Sequence, residues 1–97
     1  MTLCMYNKLN IVFDLEKDRY NQLKHHGLSL EKASELQWET AVFIQDQRQD
    51  YGEKRFIAWA YLDSRLYVVI FVDRGIERRI ISLRKANYRE VQRYAKT

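Results

Sequence analysis

The chain contains no proline, three glycines, one cysteine and two histidines, and each scarcity removes a class of answers. With no proline, no Gly/Ser stretch and no internal repeat, nothing marks a linker, and residues 1–97 read as one domain near the commonest domain size. A lone Cys4 cannot close an internal disulfide, which fits a reducing compartment and makes the cytoplasm the expected location. Cys4, His25 and His26 are too few and wrongly spaced for a zinc site, so neither metal nor cofactor is expected. The longest apolar run, Leu66 to Val72, is far shorter than the roughly 20 residues of a spanning helix. No basic segment followed by an apolar one opens the chain, so neither a membrane span nor an export signal is expected. Also missing are a glycine-rich phosphate loop, a carboxylate metal pair and a serine nucleophile motif, which argues against metal-assisted nucleotide hydrolysis.

What is present is core material and asymmetric charge. A hydrophobic fraction of 46% beside 31% charged residues suffices for a packed core under a wet surface and excludes a disordered tail. The net charge of +4 is moderate, but residues 1–48 carry six Lys/Arg against seven Asp/Glu, and residues 49–97 carry eleven against six. Seven of the ten arginines follow residue 64. Arginine's planar fork matches phosphate oxygens two at a time, so this basic carboxy-terminal third points to RNA, the alternative being a solvated charged face.

Periodicity supplies the elements. Asn10 to Phe13 reads as a short strand, and Asp14 is placed to cap a helix from Leu15 to His26, with Gly27 as its left-handed stop. In that helix Leu15, Tyr20 and Leu23 form a narrow apolar stripe, which leaves Lys17, Asn21, Lys24 and His25 for solvent or a ligand. Ser29 is placed to cap a second helix from Leu30 to about Gln37, burying Leu30, Ala33, Ser34 and Leu36. Four strands follow, at Ala41–Gln45, Arg55–Leu62, Leu66–Val72 and Arg78–Arg84, joined by short polar turns as an antiparallel meander with Leu66–Val72 at its centre. Asn87 then caps a helix over Tyr88–Lys96 that buries Tyr88, Val91 and Ala95. The expected fold is α+β: an antiparallel sheet of about four to five strands with two amino-terminal helices and one carboxy-terminal helix packed on it.

Three clusters carry candidate chemistry. Strict alternation along the last strand puts Arg79, Ile81 and Leu83 on one face, and Arg78, Ile80, Ser82 and Arg84 on the other. A hydroxyl beside a guanidinium, followed at once by Lys85, suits a scissile phosphate; the alternative is that Arg84 pairs with Glu90 or Glu53. At the end of the first helix, Lys24-His25-His26-Gly27 offers a group that titrates near neutrality, with a lysine to lower its pKa; the alternative is contact with the helix-end carbonyls. The segment Asp46 to Arg55 holds acids, bases, the Tyr51 phenol and a turn glycine, and is otherwise an ordinary hairpin connection.

In order, Phe13-Asp14 with Lys17, Asn21, Lys24 and His25, then Trp38-Glu39-Thr40, Asp46-x-Arg48-x-x-Tyr51-Gly52-Glu53-x-Arg55, and Arg79-Ile-Ile-Ser82-Leu-Arg84-Lys85-Ala86-Asn87 with Glu90 and Tyr94 resemble the BrnT family of bacterial type II toxins. Where the family's pattern runs Lys-His-Gly, this chain has Lys24-His25-His26-Gly27; counted from Asp14 and Asn21, His25 holds the register. The resemblance implies a RelE-like fold and metal-independent RNA cleavage by 2′-hydroxyl attack. It also implies neutralisation by a BrnA-like ribbon-helix-helix antitoxin, with DNA contacted only through that complex. On this reading His25 or Glu53 is the base, Lys24 or Tyr94 the acid or charge donor, and Arg55, Arg79 and Arg84 grip phosphate. Arg48, Tyr51, Arg78, Ser82, Lys85, Arg89 and Arg93 are further RNA contacts. Two other classes stay open: a non-catalytic nucleic-acid-binding regulator, and an inactive toxin serving as an antitoxin-binding scaffold.

Overall fold

The computed structural model describes residues 10–50 and 52–95. Cys4, Tyr51 and Lys96 therefore lie outside the described residues. The element order is β1 (Asn10–Phe13), α1 (Leu15–Lys24), two 3-10 segments (Leu30–Glu35 and Trp38–Thr40), β2 (Val42–Asp46), β3 (Arg55–Leu62), β4 (Arg65–Arg74), β5 (Glu77–Lys85) and α2 (Tyr88–Ala95). The α+β class holds, with β4 in the middle of the strand order β1-β5-β4-β3-β2. The sheet is mixed, which corrects the expected all-antiparallel arrangement: β2 to β5 form the meander, but β1 lies parallel to β5. A strand that precedes the meander and is separated from it by α1 is not bound by hairpin geometry and is free to add in the parallel sense. No helix among the described residues is long and apolar enough to cross a membrane.

One face of the sheet carries the main core. Ala58 and Ala60 of β3, Val69 and Phe71 of β4, and Ile80 and Leu83 of β5 pack under Leu30, Ala33 and Leu36. Trp38 closes this layer edge-on against Phe71, with ring centroids 5.4 Å apart. The small side chains of β3 let the first 3-10 segment approach closely. That segment was expected as an α-helix to Gln37, but its hydrogen bonds tighten to i→i+3 and Ser34 faces solvent. A six-residue segment and its C-cap Leu36, which must bring Leu30, Ala33 and Leu36 onto one line, do so with a three-residue period.

The first helix is organised differently from its sequence pattern. Leu15, Tyr20 and Leu23 are exposed, Leu23 at 87%, whereas Asn21 is 3% exposed. Its amide Nδ2 donates to the carbonyls of Leu83 (2.9 Å) and Leu28 (3.0 Å), and its Oδ1 accepts from the Leu83 N–H (3.1 Å). β1 pairs with β5 only as far as Ile80, and Asn21 takes the place of a strand neighbour at Leu83. Asp18 supplies the second tie, accepting from Ser29 Oγ and the Leu30 N–H. Polar bonds thus fix the helix, which is why reading its apolar stripe as the buried side inverts it. The helix ends at Lys24, two residues early. His25 is the C-cap, His26 takes the left-handed conformation (φ 55°), and the Gly27 N–H bonds back to the Gln22 carbonyl at 2.7 Å. That 6→1 bond makes a Schellman ending with His26 at the position glycine usually fills.

At the other end, Tyr88 is 76% exposed, where burial was expected. The reciprocal bonds between Asn87 and Glu90 set the phase of α2: Asn87 Oδ1 accepts from the Glu90 N–H, and Glu90 Oε1 from the Asn87 N–H. This capping box turns Glu90 and Tyr94 toward the sheet.

Asn21→Ala strands two carbonyls and one N–H and is expected to cost about 2–4 kcal/mol in urea unfolding. Leu23→Ala is expected to cost under about 0.5 kcal/mol. A larger loss from Leu23→Ala than from Asn21→Ala would show that the helix is anchored by its apolar stripe after all.

Candidate nucleic-acid interface

β5 does not alternate strictly. Ile70 pairs with Ser82 and Phe71 with Ile80, so Ile81 is an extra residue bulged out of the ladder. Before the bulge Arg78 and Ile80 face the core; after it Leu83 does. Both Ile80 and Leu83 are fully buried, three residues apart where a regular strand allows only even spacings. The expected partition of this strand is therefore corrected. Arg79, Ser82 and Arg84 share the face away from the main core, opposite Val72, Ile70 and Val68. Arg55 of β3 lies on that same face, one strand beyond β4.

Arg78 is separated from this group. Its guanidinium lies 4.7 Å from the Trp38 ring and 4.4 Å from the Phe71 ring, and it pairs bidentately with Asp73 at 2.8 and 2.9 Å. There it lids the core, a use of arginine's flat face that depends on packing.

The arginine face has two ends. At one, Glu53 accepts two bonds from Arg74, at 3.1 and 2.8 Å. These bonds, with Arg55 and Arg79 nearby, hold its carboxyl below the ordinary range. Arg79 is half-buried, its nearest acid is Glu77 at 3.7 Å, and its buried Nε has no hydrogen-bond partner among the described residues. At the other end, Arg84 is chelated by Glu90 with two bonds of 2.8 Å. That pairing holds the Glu90 carboxyl low, helped by the Asn87 N–H and the Trp59 side chain. Of the two partners weighed for Arg84, the structure selects Glu90.

Two adjoining clefts meet at His25. One, of about 470 Å³, is lined by Tyr20, Lys24, His25, Ile81 and Ser82; the other, of about 420 Å³, by His25, His26, Leu28, Arg84 and Lys85. His25 belongs to both because the helix stops at Lys24 and the left-handed turn at His26 carries the chain away. Its pKa is lowered, first by burial, then by Lys24, Arg84 and His26. The Lys24 ammonium sits 5.7 Å from the Tyr20 ring centre.

The remaining candidates are dispersed. Tyr94 donates its hydroxyl to the Thr40 carbonyl (2.9 Å) and packs edge-on against Tyr61. Arg48 grips Asp46 with two bonds of 2.8 Å, and Arg89 and Arg93 project from α2 into solvent. Sequence reasoning passed over Arg74, which engages Glu53, and Trp59, whose side chain hydrogen-bonds Glu90. The Asn87-x-x-Glu90 spacing was a readable sign that Glu90 has a fixed position; Arg74 carried no such sign.

A neutral-leaning His25 titrates with a midpoint below the ordinary value of about 6.5. Arg84→Ala is expected to move that midpoint upward, since it removes a repelling charge. Proton NMR titration of the imidazole ring reads both. By linkage, the unfolded chain takes up this proton first, so His25 makes stability fall as pH drops from about 6.5 toward the folded-state pKa.

Among known proteins, no curated protein matches the chain. The family model described as "Ribonuclease toxin, BrnT, of type II toxin-antitoxin system" matches residues 13–90. That span runs from the last residue of β1 to Glu90, taking in α1, the bulged strand and the chelated Arg84, and on its strength the chain belongs to the BrnT family of ribonuclease toxins of type II toxin-antitoxin systems.

Proposed function

We propose that this chain is a metal-independent endoribonuclease that cleaves RNA by attack of a ribose 2′-oxygen on the adjacent phosphorus. The observation that carries the reading is the bulge at Ile81, with Arg79, Ser82 and Arg84 on one face of β5 and His25 at the rim of that face. The 2′-hydroxyl proton passes to neutral His25, a bond forms between the 2′-oxygen and phosphorus, and the 5′-oxygen departs with a proton. The products are a 2′,3′-cyclic phosphate and a 5′-hydroxyl.

Of the two bases, His25 fits better. Its pKa is lowered and its ring has no salt bridge among the described residues, while Glu53 is spent on Arg74, which weakens it as a proton acceptor. Of the two acids, Lys24 shares a cleft with His25 and Ser82, whereas the Tyr94 hydroxyl is committed to the Thr40 carbonyl. Arg55, Arg79 and Arg84 supply the positive charge that the transition state needs. Metal independence draws support from chemistry. The carboxylates Asp46, Glu53 and Glu90 each bind an arginine, which leaves them poorly suited to ligate a cation, and Asp14 and Glu16, which line the His25 cleft, belong to no cluster of three or more potential metal ligands among the described residues. Arg48, Lys85 and the α2 arginines belong to the wider basic surface, the expected RNA contact at Tyr51 lies outside the described residues, and Arg78 on the opposite face takes no part.

The partner implied by family membership is a protein antitoxin. Its being BrnA-like, a ribbon-helix-helix protein that carries the DNA contact, is part of the proposal, as are a cytoplasmic location and a single domain.

Purified protein is expected to cleave total RNA with EDTA present, leaving cyclic-phosphate ends. The His25→Ala, Arg84→Ala double variant should lose at least about 100-fold in rate. Wild-type rates should fall on the acid side as His25 takes up a proton, a limb that His25→Ala alone removes. Cleavage that EDTA abolishes, or that the double variant retains, would overturn this reading.

A further inference from the structure

The two edges of the β-sheet around the site are finished differently. Past the end of β1, the outer side of β5 is satisfied by Asn21. β2 ends the strand order with β3 as its sole neighbour among the described residues, and Val42, Phe43 and Ile44 along it are 41%, 47% and 54% exposed, Val42 and Ile44 on the α2 side of the sheet and Phe43 on the other, against Phe56 and Phe71. Edge strands are normally guarded by charge, proline or a bulge. Val42–Ile44 has none of these, and the first charge along β2, Asp46, is turned inward and held by Arg48.

Beside this edge lies a cleft of about 270 Å³ between α2 and the sheet, lined by Val42, Ile44, Trp59, Glu90, Arg93 and Tyr94. Its one acid, Glu90, is neutralised by Arg84. Arg93 stands at the mouth with Arg89 one turn before it, and neither has a salt bridge among the described residues. Among the described residues the surface is thus a sheet edge with no strand paired to its outer side, next to an apolar slot with a cationic rim.

We infer that the open edge of β2 is where the antitoxin docks, through an extended segment that adds to the sheet as a sixth strand, with alternate apolar side chains in the α2 cleft and acidic ones against Arg89 and Arg93. This rests on the toxin-antitoxin reading. A strand is the fitting occupant because only an extended backbone meets the free N–H and C=O groups of an edge, while pockets for alternate side chains provide selectivity. A second copy of this chain fits poorly. Antiparallel pairing of two β2 edges about a two-fold axis sets both α2 helices on the same side, so Arg89 and Arg93 of each copy face like charges, on chains that each carry +4.

The test uses the full chain co-expressed with the polypeptide encoded by the adjacent reading frame of its operon. In the purified complex, amides of residues 42–46 are expected to exchange hydrogen at least about tenfold more slowly than in the free toxin. Ile44→Lys should weaken the complex by about tenfold or more while RNA cleavage by the free toxin stays at the wild-type rate. Arg93→Glu should weaken it further at low salt than at high salt. A complex that protects α1 or the arginine face while residues 42–46 exchange freely would overturn the docking site and leave the toxin-antitoxin reading intact. So would Ile44→Lys binding with wild-type affinity. Protection of 42–46 in a dimer of the toxin alone would assign the edge to a second copy instead. No complex with the adjacent polypeptide would remove both the docking site and the antitoxin part of the proposed function.

Discussion

The arrangement depends on one buried amide. Asn21 lies on a helix whose apolar side chains do little packing, and its three bonds to Leu28 and Leu83 fix α1 against β5. A buried amide left without partners costs more than a bond gained elsewhere returns, so such a group tolerates only one placement. That placement brings the end of α1, with Lys24 and His25, over Ser82. It also fixes where the chain turns, since the Leu28 carbonyl leads directly into Ser29 and the first 3-10 segment, which is tied again through Asp18. Side-chain polarity here does the work that a hydrophobic stripe does in most amphipathic helices.

The second constraint is the bulge in β5. One extra residue allows Ile80 and Leu83 both to reach the core, and the same offset turns Arg79, Ser82 and Arg84 together to the other side. Core packing and the composition of the basic face are therefore two results of a single irregularity. Removing it would restore strict alternation and exchange Leu83 with a neighbour across the sheet, at the cost of burying a polar or charged side chain.

Much of this was legible in the sequence. β-branched and aromatic runs with polar turns between them gave β3 its bounds and β4 its central position, and Asp14 and Ser29 cap the segments they were expected to cap. Alternation failed at Ile81 because Arg78-Arg79-Ile80-Ile81 offers two adjacent isoleucines, and local sequence does not say which of them leaves the ladder. Periodicity failed in α1 for a different reason. An apolar stripe marks burial only where hydrophobic area drives docking, and a single asparagine 62 residues from its partner leaves no periodic trace. The parallel sense of β1 and the tie from Arg74 to Glu53 are likewise long-range facts, set by which surfaces remain after the meander has formed.

The electrostatics of the open face follow from how its acids are disposed. Glu53 and Glu90 sit among the arginines, and both are chelated with bonds of about 3 Å by a guanidinium. An ion pair cancels charge but fixes geometry. The face keeps a positive excess because Arg55, Arg74, Arg79, Arg84, Lys24 and Lys85 outnumber the acids among them, while Arg74 and Arg84 are held still by the carboxylates of Glu53 and Glu90. For a polyanion, the excess governs attraction at a distance and weakens as salt rises. At close range the held guanidinium matters more, because a fork already oriented loses less side-chain freedom when phosphate oxygens arrive. Glu90 thus opposes RNA by its charge and favours it by positioning Arg84. Because the same carboxylate bonds to the N–H of Asn87, that position is set from the first turn of α2.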